Sequence, residues 1–105
     1  MVYMFVLQLE NRKYYIEKSA KPITSIYDHY NMEGNEWTKK YKMVRLVKLI
    51  PNSDNVDEDE ITIKYMKKYG INNVRGGHFK NIILRRSEIN YINSCIDDGY
   101  KMIKF

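Results

Sequence analysis

No stretch of this chain limits its fold as much as Tyr3-Met4-Phe5-Val6-Leu7-Gln8-Leu9, a run rich in strand-forming residues. Glu10-Asn11-Arg12 then offers turn chemistry, and Lys13-Tyr14-Tyr15-Ile16 resumes the strand pattern. A β-hairpin therefore opens the fold. The apolar start from Val2 to Leu9 carries no basic segment and no small-residue cleavage site, and it is too short to cross a bilayer. It reads as a core strand of a soluble protein with no membrane partner.

Beyond the hairpin the pattern alternates. Pro22 fits the start of a helix with Thr24 or Ser25 as cap, and Ile23, Ile26, Tyr27 and Tyr30 recur at helical spacing ahead of Gly34. The polar stretch from Asn31 to Lys42 leads into Met43-Val44-Arg45-Leu46-Val47-Lys48-Leu49-Ile50, a third strand closed by Pro51. Asn55 and Glu58 have the spacing of a capping box, and Ile61, Tyr65 and Tyr69 recur every fourth residue until Gly70 stops that helix. Asn73-Val74-Arg75-Gly76-Gly77 reads as a flexible loop, and Ile82-Ile83-Leu84 as a short strand or an extended packing segment. Ser87 caps a last helix with Ile89, Ile92 and Ile96 on its buried face, and a tail from Gly99 packs back through Met102, Ile103 and Phe105.

The expectation is thus an α/β (α+β) fold, a small three-stranded, mainly antiparallel sheet flanked by helices. The 105 residues suit one modest core, so a single domain spanning residues 1–105 is predicted. The lone cysteine, Cys95, closes no internal disulfide and completes no zinc spacing, which suits a reducing intracellular compartment. Eighteen Lys and Arg against thirteen Asp and Glu give a formal charge of +5, which makes phosphate-bearing partners plausible. The sharpest local signal of that kind is Trp37-Thr38-Lys39-Lys40-Tyr41-Lys42, where cations interleave with aromatics. Lys64, Lys67 and Lys68 add charge, and the two glycines of Arg75-Gly76-Gly77 would let backbone amides approach an anion. The competing reading packs Trp37 over the sheet edge and leaves the lysines as a solvated face.

A tyrosine pair on the hairpin, in Met1-Val2-Tyr3 and Tyr15-Ile16-Glu17, followed by helix, strand and helix, resembles the GIY-YIG endonuclease superfamily over roughly residues 1 to 80. Within it the chain looks most like the small single-domain versions of large double-stranded DNA viruses. The echoes are Tyr14-Tyr15-Ile16-Glu17-Lys18, the block from Glu36 to Lys42, and the block from Lys64 to Ile71 running on to Val74-Arg75-Gly76-Gly77. The resemblance implies a GIY-YIG nuclease-like fold with Tyr3 and Tyr15 lining the site, assisting proton transfer and positioning water. It also implies a first-helix arginine that steadies the scissile phosphate, and a glutamate, best matched by Glu58 with Glu60 as alternative, that holds one divalent metal. Acidic residues at a helix start also complement the macrodipole without any metal.

The departures from the family pattern bear on function. Met1 and Glu17 stand where the motifs have glycine, and Glu17 brings bulk and negative charge to the place of a phosphate. One turn before His29, where the arginine belongs, stands Ser25. Arginines serving phosphoryl transfer are worth about 10³–10⁵ in rate. His29 reads either as an assistant to a base or as an exposed helix residue beside Asp28, and His78 shows no evident partner. The expected function is a catalytically impaired nuclease-like protein, a pseudoenzyme that binds DNA mainly through phosphates and requires no cofactor. Two alternatives are an active endonuclease using magnesium, and a protein-interaction or virion-associated module in which the former cleft, with Glu17 in it, takes a basic partner. The viral resemblance implies host cytoplasm, viral factory or virion as the location.

Overall fold

The computed structural model describes residues 1–97, so the expected packing of the tail through Met102, Ile103 and Phe105 lies outside the described residues. The fold is mixed α+β. Strands β1 (Tyr3–Leu9), β2 (Lys13–Ser19), β3 (Met43–Ile50) and β4 (Val74–Gly76) form one sheet in the order β3-β1-β2-β4. Helices α1 (Pro22–Tyr30), α2 (Glu36–Lys40), α3 (Glu58–Tyr69) and α4 (Arg86–Asp97) accompany it.

The predicted hairpin forms, with β1 and β2 antiparallel and Leu7 opposite Tyr15. Asn11 and Arg12 make the turn in the left-handed region, at φ 59° and 58°, a conformation that asparagine tolerates better than most residues. β3 pairs antiparallel with the other side of β1. Because side chains alternate along a strand, the sheet has two distinct faces. Phe5, Leu7, Leu9 and Tyr15 pack with Trp37 and Ile26 on the α1/α2 side. Met4, Val6 and Ile16 pack with Ile63, Met66 and Ile92 on the α3/α4 side.

The expected three-stranded sheet gains a fourth strand, and that strand is parallel to its neighbour. Val74, Arg75 and Gly76 lie beside Tyr14, Tyr15 and Ile16 of β2, so the segment read as a flexible loop is a buried edge strand. Gly70, at φ 103°, ends α3 and turns the chain back toward the sheet. A Cβ on Gly76 would lie 2.6 Å from the Ile16 carbonyl oxygen, so glycine here serves close strand packing. The stretch from Asn31 to Lys42 also contains α2, capped by Asn35, whose side chain accepts from the Thr38 amide.

Three helix details differ from expectation. Lys21, not Thr24 or Ser25, occupies the N-cap position of α1, with Pro22 as the first helical residue. Ile23, Tyr27 and Tyr30 of the expected core stripe point outward, and Pro22, Ile26 and His29 face inward at spacings of four and three residues. In α3 the cap is Asp57 rather than Asn55, its Oδ1 accepting from the amides of Asp59 and Glu60. Ile63 and Met66 form the buried face of α3, while Ile61, Tyr65 and Tyr69 run along a half-buried flank. Ser87 lies within the first turn of α4 rather than capping it, while Ile92 is buried with Ile89 and Ile96 alongside. Residues 82–84 are neither strand nor extended: the chain bends at Ile82 and Ile83 outside the sheet, with Leu84 buried and Ile83 exposed. Among the described residues no helix is long and apolar enough to cross a membrane.

Candidate functional site

Tyr15 and Glu17 lie two apart on β2, so both side chains rise from the face that α1 covers. There Tyr15 Oη donates to Glu17 Oε1 at 2.6 Å. His29, the inward residue in the last turn of α1, brings Nε2 to 3.1 Å from the same oxygen and Nδ1 to 2.7 Å from Thr38 Oγ1 of α2. A carboxylate oxygen only accepts, which assigns a proton to Nε2 and lets the Thr38 hydroxyl serve Nδ1. Gly34 makes this junction fit, since a Cβ there would fall on the His29 ring and 2.8 Å from Thr38 Oγ1. His29 is therefore buried, contrary to its reading as an exposed residue beside Asp28.

Charge in this network rests on Glu17. Burial alone would raise its pKa, but the hydrogen bonds from His29 and Tyr15 outweigh burial and hold it below the ordinary carboxylate value. Tyr15 moves the other way. Burial, then the adjacent Glu17 charge, pushes its phenol far above 10, so it stays protonated and its proton is committed to Glu17. A cleft of about 230 Å³ opens beside this network, lined by Glu17, Ser25, Asp28 and Asn35, with Lys80 as the cation at its wall.

The remaining predicted site residues fall out differently. Ser25 shares a hydrogen bond with Ser19 at 2.8 Å and supplies no positive charge. Tyr3 is half-buried on the same sheet face as Tyr15 but lies opposite Ser19, at the far end of the strand pair. Glu58 Oε2 accepts from the Lys18 amide at 2.8 Å, and its charge adds a small upward push to the Tyr15 pKa. Glu60 is buried in the first turn of α3. Among the described residues no three His, Cys, Asp or Glu side chains converge, so a magnesium ion would rest on the second oxygen of Glu58 and on water.

The expected nucleic-acid surface divides into two sets. Lys39, Lys40, Lys42, Lys64, Lys67 and Lys68 are exposed. Trp37 is only 1% exposed, donates through Nε1 to the Tyr14 carbonyl at 2.9 Å, and cannot stack on a base. Arg75, 2% exposed, donates to the carbonyls of Ile71, Val74, Asn81 and Ile82 at 2.7–2.8 Å and lies 4.5 Å over the Trp37 ring. Its guanidinium organises the chain around β4 and reaches no phosphate. Gly76 is enclosed by Ile16, and Gly77 abuts Asp59, so neither offers an open anion cradle. His78, which showed no partner in the sequence, pairs with Asp59 at 2.8 Å. Cys95 is buried, as a small hydrophobe.

Sequence reasoning overlooked Gly34, Asn35 and Thr38, which hold His29 in place. Their only signal was Gly34-Asn35 just ahead of Trp37-Thr38, a turn-and-cap pattern inside a stretch that reads as polar linker. No protein family, curated protein or solved structure matches the chain.

Proposed function

We propose that this protein is a catalytically impaired, GIY-YIG nuclease-like protein that binds DNA through phosphate contacts. The observation that carries the impairment is the closed Tyr15–Glu17–His29 network. An anionic Glu17 at the cleft wall repels a phosphate, and a phenol whose proton is held by that carboxylate makes a poor base. Ser25 brings no cation to oppose Glu17, and among the described residues Lys80 is the one lysine or arginine lining the cleft. Binding is assigned to the exposed Lys39 and Lys40 of α2 and Lys67 and Lys68 of α3, while Lys64 pairs with Glu60.

The test is a short fluorescent duplex titrated across a salt series with magnesium present and the products run on a denaturing gel. Retention of the intact duplex with a steep salt slope, about −0.9 per phosphate contacted, supports the reading. Magnesium-dependent cleavage that disappears in Glu58→Ala would replace it with the active-endonuclease reading. A second reading, a protein-interaction module whose cleft takes a basic side chain, draws on the same anionic Glu17 and on the exposed Ile23, Tyr27 and Tyr30 of α1. Absence of both binding and cutting would favour it.

A further inference from the structure

Lys13 and Tyr14 are neighbours on β2 and therefore project from opposite faces of the sheet at its hairpin end. On one side Lys13 Nζ donates to Asn73 Oδ1 at 2.7 Å and lies 5.3 Å from the centre of the Tyr41 ring, which Lys40 Nζ also approaches at 5.6 Å. Asn73 Nδ2 in turn donates to the Tyr69 carbonyl at 2.6 Å, which carries the surface round to α3. There the Tyr69 ring stacks on Tyr14 with centroids 4.3 Å apart, and Lys68 Nζ lies 5.3 Å from Tyr69. Across the sheet Tyr14 stands opposite Gln8, and Gln8 stands opposite Arg45, whose Nε donates to Gln8 Oε1 at 2.8 Å. One belt thus runs Arg45, Tyr14, Tyr69, Lys13, Tyr41, Lys40 around the end of the sheet.

Two properties of the belt go beyond packing. Among the described residues, Lys13, Lys40, Lys68 and Arg45 have no carboxylate within ion-pair distance, so their charge is left for a partner. Tyr14, Tyr41 and Tyr69 are all half-buried, each keeping some surface open to solvent, and each has a cation nearby. Unneutralised cations that alternate with accessible aromatic rings complement a polyanion carrying flat, stackable groups. A duplex hides its bases and would use the cations only, whereas an unpaired strand would use both.

We propose that this belt binds single-stranded DNA, with phosphates on Arg45, Lys68, Lys13 and Lys40 and bases against Tyr69 and Tyr41. The assignment rests on the DNA-binding reading above and adds to it a preference for unpaired strands. The full chain is titrated by fluorescence anisotropy with a labelled oligothymidine, a duplex of equal length, and polyglutamate. The oligothymidine is expected to bind about tenfold more tightly than the duplex at one salt concentration. Tyr41→Leu and Tyr69→Leu should each weaken oligothymidine binding about fivefold or more while leaving duplex affinity and its salt slope unchanged. Trp37 emission and the melting temperature report folding, and if a leucine variant does not fold, the exposed-site variants Lys40→Glu and Arg45→Glu carry the test through loss of oligothymidine binding. Equal affinity for duplex and oligothymidine, with leucine variants that bind as wild type, overturns the belt and leaves the duplex-binding reading standing. Polyglutamate binding as tight as oligothymidine also overturns it, because charge alone would then suffice. Failure to bind any nucleic acid overturns both readings.

Discussion

Replacing Arg75 by lysine keeps the charge and most of the length, yet the structure predicts a large loss of stability. Arg75 Nε, Nη1 and Nη2 make four hydrogen bonds to backbone carbonyls at 2.7–2.8 Å. An ammonium group is a single point with three donors and cannot span the arc that the planar fork covers. Two of the four bonds are expected to be lost, and the flat contact with Trp37 as well. Hydrogen bonds to charged groups are worth about 1.5–3 kcal/mol each, so after partial rescue by water the net cost is about 3 kcal/mol. That is a large share of the roughly 5–15 kcal/mol typical of a folded domain. With a urea dependence of about 1–1.5 kcal/mol per molar for a chain of this size, the unfolding midpoint should fall by about 2–3 M. Trp37 is the sole tryptophan and touches Arg75, so its fluorescence follows the transition directly. An unchanged midpoint together with weakened DNA binding and a salt slope reduced by about one would instead make Arg75 a phosphate ligand and not a structural clamp.

Two further outcomes follow from the cleft. Gly34→Ala drives a methyl group into the His29 ring and should lower stability by about 2 kcal/mol or more in thermal unfolding; wild-type stability would mean that α1 shifts away without cost. Glu17 has a folded-state pKa below its ordinary 4.5, so in acid the unfolded chain binds the extra proton and stability rises with pH through that window. The contribution is present above about 4.5 and is lost as pH falls through the lowered value, so Glu17→Gln should flatten the acid limb of a stability–pH profile. A parallel shift at all pH values would show that Glu17 is not the titrating group.

The parts of the fold legible in the sequence were those that local pattern determines. The hairpin, β3 and α3 each carry their own periodicity or turn chemistry, and their positions agree with expectation to within a few residues. β4 carries none, because three residues become a strand only through pairing with β2 about sixty positions earlier. Trp37 misled because an aromatic residue among lysines reads as exposed, and the groups that bury it, the Tyr14 carbonyl and the Arg75 guanidinium, lie far along the chain. The helical stripe on α1 misled in the opposite sense. Apolar spacing selected Ile23, Tyr27 and Tyr30 as the inner face, whereas a histidine is buried because Glu17 and Thr38 satisfy both of its nitrogens. Glu17 and His29 were each visible as residues of interest, but their meeting depends on how α1 crosses β2, which no local pattern encodes.

Among the described residues β3 is an edge of the sheet, with Leu46, Leu49 and Ile50 partly exposed along it. Its register against β1 shifts twice, between Val6 and Leu7 and between Gln8 and Leu9, so that Val47 and Val44 drop out of the pairing. An incoming strand would meet unevenly spaced amides and carbonyls, with the positive charges of Arg45 and Lys48 set between them. These irregularities make that margin a poor template for end-to-side polymerisation.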